Sequence, residues 1–207
     1  TNLQLSFQYL LMIHIPLVLT AALIPLTGYP LLYLPVHIVW LEMIIHPTAL
    51  LVFQNMPSDA QLAPVVRSRR LRFFSLKQWF VIVAVGMAVT AIVSMSYLRS
   101  LGAGMDVEHA RAMALVALTA ASAGITLNLS RLRTLAAWVM VGGTLMLSVL
   151  LVQTPGLAAL LHLRPLHFDD WLLALAGGLV ASLLTAFSSF RPSFKGARVE
   201  KVRHSNR

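Results

Sequence analysis

Chemistry in this chain is concentrated where it is most costly. In the stretch "LPVHIVWLEMIIHPTALLVF", residues 34–53, Glu42 and His46 lie four residues apart, hence on one face of a helix. Pro47 follows directly, and nearly every other residue of the stretch is apolar. An ionisable side chain deep in hydrocarbon costs about 2.5–3.5 kcal/mol on insertion scales, so it marks a pathway, a site or a paired contact. Pro47 has no N–H to give the carbonyl of Met43, which leaves a backbone oxygen bare beside Glu42 and His46. The stretch 7–26 repeats the device: Pro16 frees the carbonyl of Met12 next to His14, and Thr20 follows within a turn. A carboxylate, two imidazoles and two bare carbonyls at one depth form a cation ligand set or a proton relay. Two plainer readings use the same residues. Glu42 pairs with His14 or His46 only to lock two kinked helices together, or the cluster is a structural zinc site, although its spacing follows no zincin signature. His37 sits nearer the end of its stretch.

Membrane-crossing helices must position these groups. The 207 residues are 58% hydrophobic and 11% charged, and the mean hydropathy of +0.79 lies well above that of a soluble domain. Six apolar stretches are predicted to span, at residues 7–26, 34–53, 78–98, 112–129, 135–152 and 171–190. Each is close to the twenty or so residues that cross about 30 Å of hydrocarbon as a helix. None shows the period-two alternation of a membrane barrel. The fold class is therefore all-α, a polytopic bundle of six transmembrane helices over residues 1–190, followed by a basic tail over 191–207.

Charge sets the expected orientation. Thirteen of the sixteen Lys and Arg residues fall in the link between the second and third spans, the link between the fourth and fifth, and the tail. Only Arg99, Arg111 and Arg164 fall on the other side, beside Asp106, Glu108, Asp169 and Asp170. Positive charge stays cytoplasmic, so both termini are expected there, in a multi-pass protein of the cell's inner membrane. The net charge of +9 does not point to nucleic acid, since the basic residues lack aromatic interleaving or a binding motif. The tail suits solvent or anionic lipid. Trp79 and Trp171 open their spans as interfacial anchors, and Gly142-Gly143 and Gly177-Gly178 are expected to let helices approach closely. Nothing ahead of the first span resembles a signal peptide. With no cysteine, disulfides and thiolate sites do not arise. No phosphate loop, GxSxG, paired intramembrane Asp or HExxH occurs, so no catalytic residue is assigned.

The order of motifs carries a resemblance. "YLLMIHIPLVLTAALIPLTGYPLLYLPVHIVWLEMIIHPTALLVFQ", residues 9–54, resembles the fifth and sixth membrane helices of bacterial P-type cation-transporting ATPases of the calcium-pump type. The family's "HxP", "PVH" and "LELIIDP" appear as His14-Ile15-Pro16, Pro35-Val36-His37 and Leu41-Glu42-Met43-Ile44-Ile45-His46-Pro47. "MPSDAQLAPVVRSRR" is similar to the family's link to its seventh helix, "EHARAMALVALTAASAGITLNLSR" to its eighth, and "PGLAALLHLRPLHFDDWLLAL" to its last external loop and tenth helix. The likeness runs over about 9–190.

The resemblance implies the last six of ten membrane helices of a pump, a C-terminal domain of a longer ATPase or a fragment that joins one. Its partners are then the lipid bilayer and the pump's remaining helices and cytosolic domains. This sequence has no DKTGT phosphorylation motif and no nucleotide-binding or actuator domain, so ATP and magnesium enter only through those other domains. No cofactor is expected in this chain beyond the transported cation. Glu42 falls on a family ligand position, and His14 at or beside one. His46 replaces the family's ion-site aspartate. Hard cations such as calcium prefer oxygen, whereas imidazole beside carboxylate suits a transition metal or a proton relay. The expected cation site is thus Glu42, His46 and His14, with the carbonyls of Met12 and Met43, and Pro16 and Pro47 as helix breakers. The alternative is a non-catalytic, pump-derived membrane protein acting as an anchor or assembly partner.

Overall fold

The computed structural model describes residues 2–54 and 73–188, and among them it contains helices and no strands. The basic link around Arg67 to Arg72, the tail 191–207 and the end of the last predicted span lie outside the described residues. Among the described residues, six helices are long and apolar enough to cross a membrane. They are α1 (Asn2–Leu26), α2 (Pro35–Pro47) with its continuation to Gln54, α3 (Leu76–Gly102), α4 (Val107–Ser130), α5 (Leu135–Gln153) and α7 (Phe168–Ser188). A short helix, α6 (Pro155–Leu160), lies in the connection after α5.

Each predicted span is a helix, and several run past the apolar run that announced them. The added turns are polar and capped. α3 opens on a capping box: the Ser75 hydroxyl accepts from the Gln78 N–H, and the Gln78 side chain accepts from the Ser75 N–H. Asp106 caps α4 by accepting the His109 N–H at 2.8 Å, which starts that helix five residues before its apolar stretch. Thr134 does the same for α5. Gly28 at φ +85° and Gly104 at φ +78° turn the chain after α1 and α3, in a region open to glycine at little cost.

Helix α4 is the centre. Almost all of its side chains are buried, many of them Ala, Ser, Thr or Gly, and α1, α3, α5 and α7 pack around it. Small residues permit the closest approach, where a Cβ added to Gly124 would stand 2.5 Å from the Gly178 carbonyl oxygen. Asn128 crosses the same seam and donates to the Ser182 carbonyl at 2.8 Å and to its hydroxyl. The Tyr9 hydroxyl shares a hydrogen bond of 2.8 Å with Ser122, which ties α1 to α4. Gly177-Gly178 is the packing element expected of it, with Ile92 and Ala120 against it. Gly142-Gly143 is not: nothing lies within 4 Å of a Cβ at either position, because both sit on the outward face of α5 with Leu135, Trp138, Val139 and Met146. Trp79 is half-exposed at the start of α3, edge-on to Phe74, in keeping with an interfacial anchor.

Candidate cation site

The expected break at Pro47 is instead a change of winding. Pro47 cannot bond back to Met43, and the helix continues beyond it as a π-helical segment over Thr48–Gln54. Thr48 secures the junction: its N–H bonds to the Ile44 and Ile45 carbonyls, and its hydroxyl donates to the Ile44 carbonyl at 2.7 Å. Ser6 of α1 then donates to the Ala49 carbonyl at 2.9 Å, fixing the π segment against α1. α1 runs unbroken through both Pro16 and Pro25.

This geometry brings His14, Glu42 and His46 together. His46 Nδ1 is 2.7 Å from Glu42 Oε2, and His14 Nε2 is 3.4 Å from Glu42 Oε1 across the α1–α2 pair. The two imidazoles meet edge to face with centroids 6.1 Å apart. Close as it is, the His46 approach is out of line for a hydrogen bond, and Oε2 stays buried with no donor. The ion pairs of Glu42 are with these two histidines, and no Lys or Arg reaches it among the described residues.

The His14 tautomer follows from its other nitrogen. Nδ1 lies 2.8 Å from the Leu10 carbonyl, which can only accept, so Nδ1 carries the proton. In the neutral ring Nε2 is then a bare lone pair aimed at a carboxylate oxygen. Two acceptors face each other, and only a proton or a cation between them makes the contact favourable.

The other residues divide. Met12 is buried and the Met43 side chain points outward, 69% exposed; Pro16 and Pro47 leave both carbonyls short of a helix donor. Thr20 does not join the cluster. Its hydroxyl donates to the Pro16 carbonyl at 2.6 Å and reaches the Tyr33 hydroxyl at 3.2 Å, and burial pushes the Tyr33 phenol above its ordinary value. His37 is wholly buried and structural: Nδ1 accepts the Leu34 N–H at 3.1 Å, and Nε2 donates to the Leu161 carbonyl at 2.6 Å.

The cluster is open on one side. The His14, Glu42 and His46 side chains are 35%, 31% and 59% exposed, and His46 continues a stripe with Val36, Val39, Met43 and Leu50 along α2. Titratable groups uncovered on one flank, within a bundle of six candidate membrane spans among the described residues, define a polytopic membrane unit. Residues 30–190 match the family described as cation transporting ATPase, C-terminus, and the chain belongs to that family: it is the membrane part of a cation-transporting ATPase. The match takes in Glu42 and His46 and begins after α1, so His14 enters the site through the structure. No curated protein matches the chain.

Proposed function

We propose that this chain forms part of the ion path of a P-type pump of the calcium-pump-like type, with Glu42 as the charged ligand or proton acceptor and His14 and His46 as the imidazole ligands beside it. The observation that carries the reading is that His14 Nε2 and His46 Nδ1 converge on Glu42 at 3.4 and 2.7 Å while its Oε2 stays buried with no hydrogen-bond donor. A buried carboxylate oxygen without a donor, beside two imidazoles, is a ready seat for a cation. The two freed carbonyls add oxygen ligands at the same level. With two nitrogens in the set, the preferred ion is a transition metal such as Zn²⁺ or Mn²⁺ rather than Ca²⁺, and a proton is the alternative cargo.

The rest of the pump covers the open flank. The exposed stripe on α2 and the half-exposed cluster suit further membrane helices, and ATP and magnesium act through cytosolic domains that those helices join. The charge distribution supports an inner-membrane protein with both termini cytoplasmic, which puts the loops 27–34, 103–106 and 154–167 outside.

Calorimetric titration of Zn²⁺, Mn²⁺, Ca²⁺ and Mg²⁺ into the full chain in nanodiscs tests the proposal. One equivalent of transition-metal binding is expected to weaken by more than about 100-fold in Glu42→Gln, beyond the 10–100-fold typical of an outer-shell partner, and by at least about tenfold in His46→Ala. Binding undisturbed by both substitutions would overturn it in favour of a structural pair and an anchoring role.

A further inference from the structure

At the end of the bundle opposite Arg131 and Arg133, a second group of ligating side chains comes together from separate elements. His109 stands in the first turn of α4, Asp170 in the first turn of α7, and His167 just ahead of α7. His109 Nε2 is 3.1 Å from Asp170 Oδ2, and His167 Nδ1 is 3.5 Å from the same oxygen. One ligand atom from each of the three lies within 4.8 Å of the others. A tetrahedral Zn²⁺ with bonds of about 2.0–2.2 Å holds its ligands about 3.3–3.5 Å apart, so two of the three edges are already close to that length. The third closes by movement of His167, whose side chain is 77% exposed.

The surroundings favour a metal over a plain ion pair. His109 is 3% exposed, and Ser100 of α3 holds its Nδ1 at 2.7 Å, the outer-shell contact that fixes a ligating imidazole with Nε2 toward the metal. Asp170 has no Arg or Lys partner among the described residues, while the nearby Arg164 is engaged by Asp106 at 2.7 Å. The His167 N–H donates to Asp170 Oδ2 at 3.0 Å and holds the carboxylate in place. Three protein ligands of two nitrogens and one oxygen match the donor set of a borderline divalent cation.

We infer that His109, His167 and Asp170 form a Zn²⁺-class site, distinct from the mid-membrane cluster, that clamps the start of α4 to the start of α7 with Ser100 as a positioning residue. The site does not depend on the proposed role of Glu42. Zn²⁺ titrated into the full chain carrying Glu42→Gln, so that the deeper cluster does not compete, is expected to fill one equivalent and to raise the melting temperature. His167→Ala in that background should weaken Zn²⁺ binding by more than about 100-fold and abolish the thermal shift. Ser100→Ala should weaken it by about 10–100-fold with the stoichiometry kept. Co²⁺ in place of Zn²⁺ should give tetrahedral ligand-field absorption that His109→Gln removes. Because His167 is exposed, its substitution leaves the fold intact, which circular dichroism checks. Zn²⁺ binding unchanged in His167→Ala and His109→Gln, or no Zn²⁺ bound by the folded Glu42→Gln chain, would overturn the assignment.

Discussion

His37 and His14 lie on neighbouring helices, yet one imidazole is finished and the other is not. His37 is closed off from its surroundings, with a backbone donor on one nitrogen and a backbone acceptor on the other. His14 has a backbone partner on one nitrogen only, and its second nitrogen faces the carboxylate of Glu42 on a flank that the chain leaves open. The difference separates a histidine that holds loops together from one that has capacity to spare. A buried polar group whose valences are all met is a structural part, whereas a group left short in a costly place is where a ligand acts. The bundle repeats the contrast on a larger scale: the α4–α7 seam is closed to the backbone, and the outer face of α5 is open along its length.

The sharpest way to break the contrast is to exchange function for stability between the two kinds of residue. Glu42→Gln is expected to cost more than about 100-fold in affinity for one transition-metal equivalent while leaving the melting temperature nearly unchanged, because its ion-pair partners among the described residues are histidines on an open flank. His37→Ala should do the reverse. Losing two hydrogen bonds and a filled volume at a fully buried position costs about 2–4 kcal/mol, read by denaturation of the nanodisc-embedded chain, with metal binding intact. If His37→Ala abolished binding while the chain stayed folded, the distinction between finished and unfinished histidines would fail.

Much of this was legible in the residues, for identifiable reasons. Uninterrupted apolar runs reveal membrane helices because lipid tolerates little else, so all six are legible, while the polar first turns of α1 and α4 extend up to five residues beyond the runs. Glu42 and His46 were paired correctly because four residues make one helical turn. His14 was joined to them only through shared depth and a family likeness, and its contact with Glu42 depends on how α1 and α2 are packed. The cluster of His109, His167 and Asp170 went unread because its members are up to 61 residues apart and meet only when α4 docks on α7. The π segment was also hidden: Pro47 announces a missing donor, not whether the chain will kink or rewind. The signal for the α4–α7 seam was present in "ALTAASAGITLNLS", whose density of small residues marks a central helix.

Substitution at the glycines extends the comparison to the helix faces. At Gly178 an added Cβ would stand 2.7 Å from the Ala120 carbonyl oxygen, backbone against backbone, with no flexible side chain to yield. Gly178→Ala should therefore push α7 off α4 and cost about 1–3 kcal/mol, seen as a lower melting temperature. A neutral result would mean that the seam is looser than the Gly124 and Gly178 approach requires.

Gly142→Ala carries the smallest effect and the opposite sign. Nothing lies within 4 Å of its Cβ, so the substitution adds no clash in this chain, and replacing glycine inside a helix stabilises it by about 0.5–1 kcal/mol. The isolated chain should melt slightly higher. The sign distinguishes lipid from protein on this face: alanine is welcome beside acyl chains, but it obstructs a helix that uses the Gly142-Gly143 notch to come close. A gain in stability for the isolated chain and a loss in the complete pump would place a second helix on α5, whereas a gain in both would leave that face to the bilayer and put the covered flank at His14, Glu42 and His46 alone.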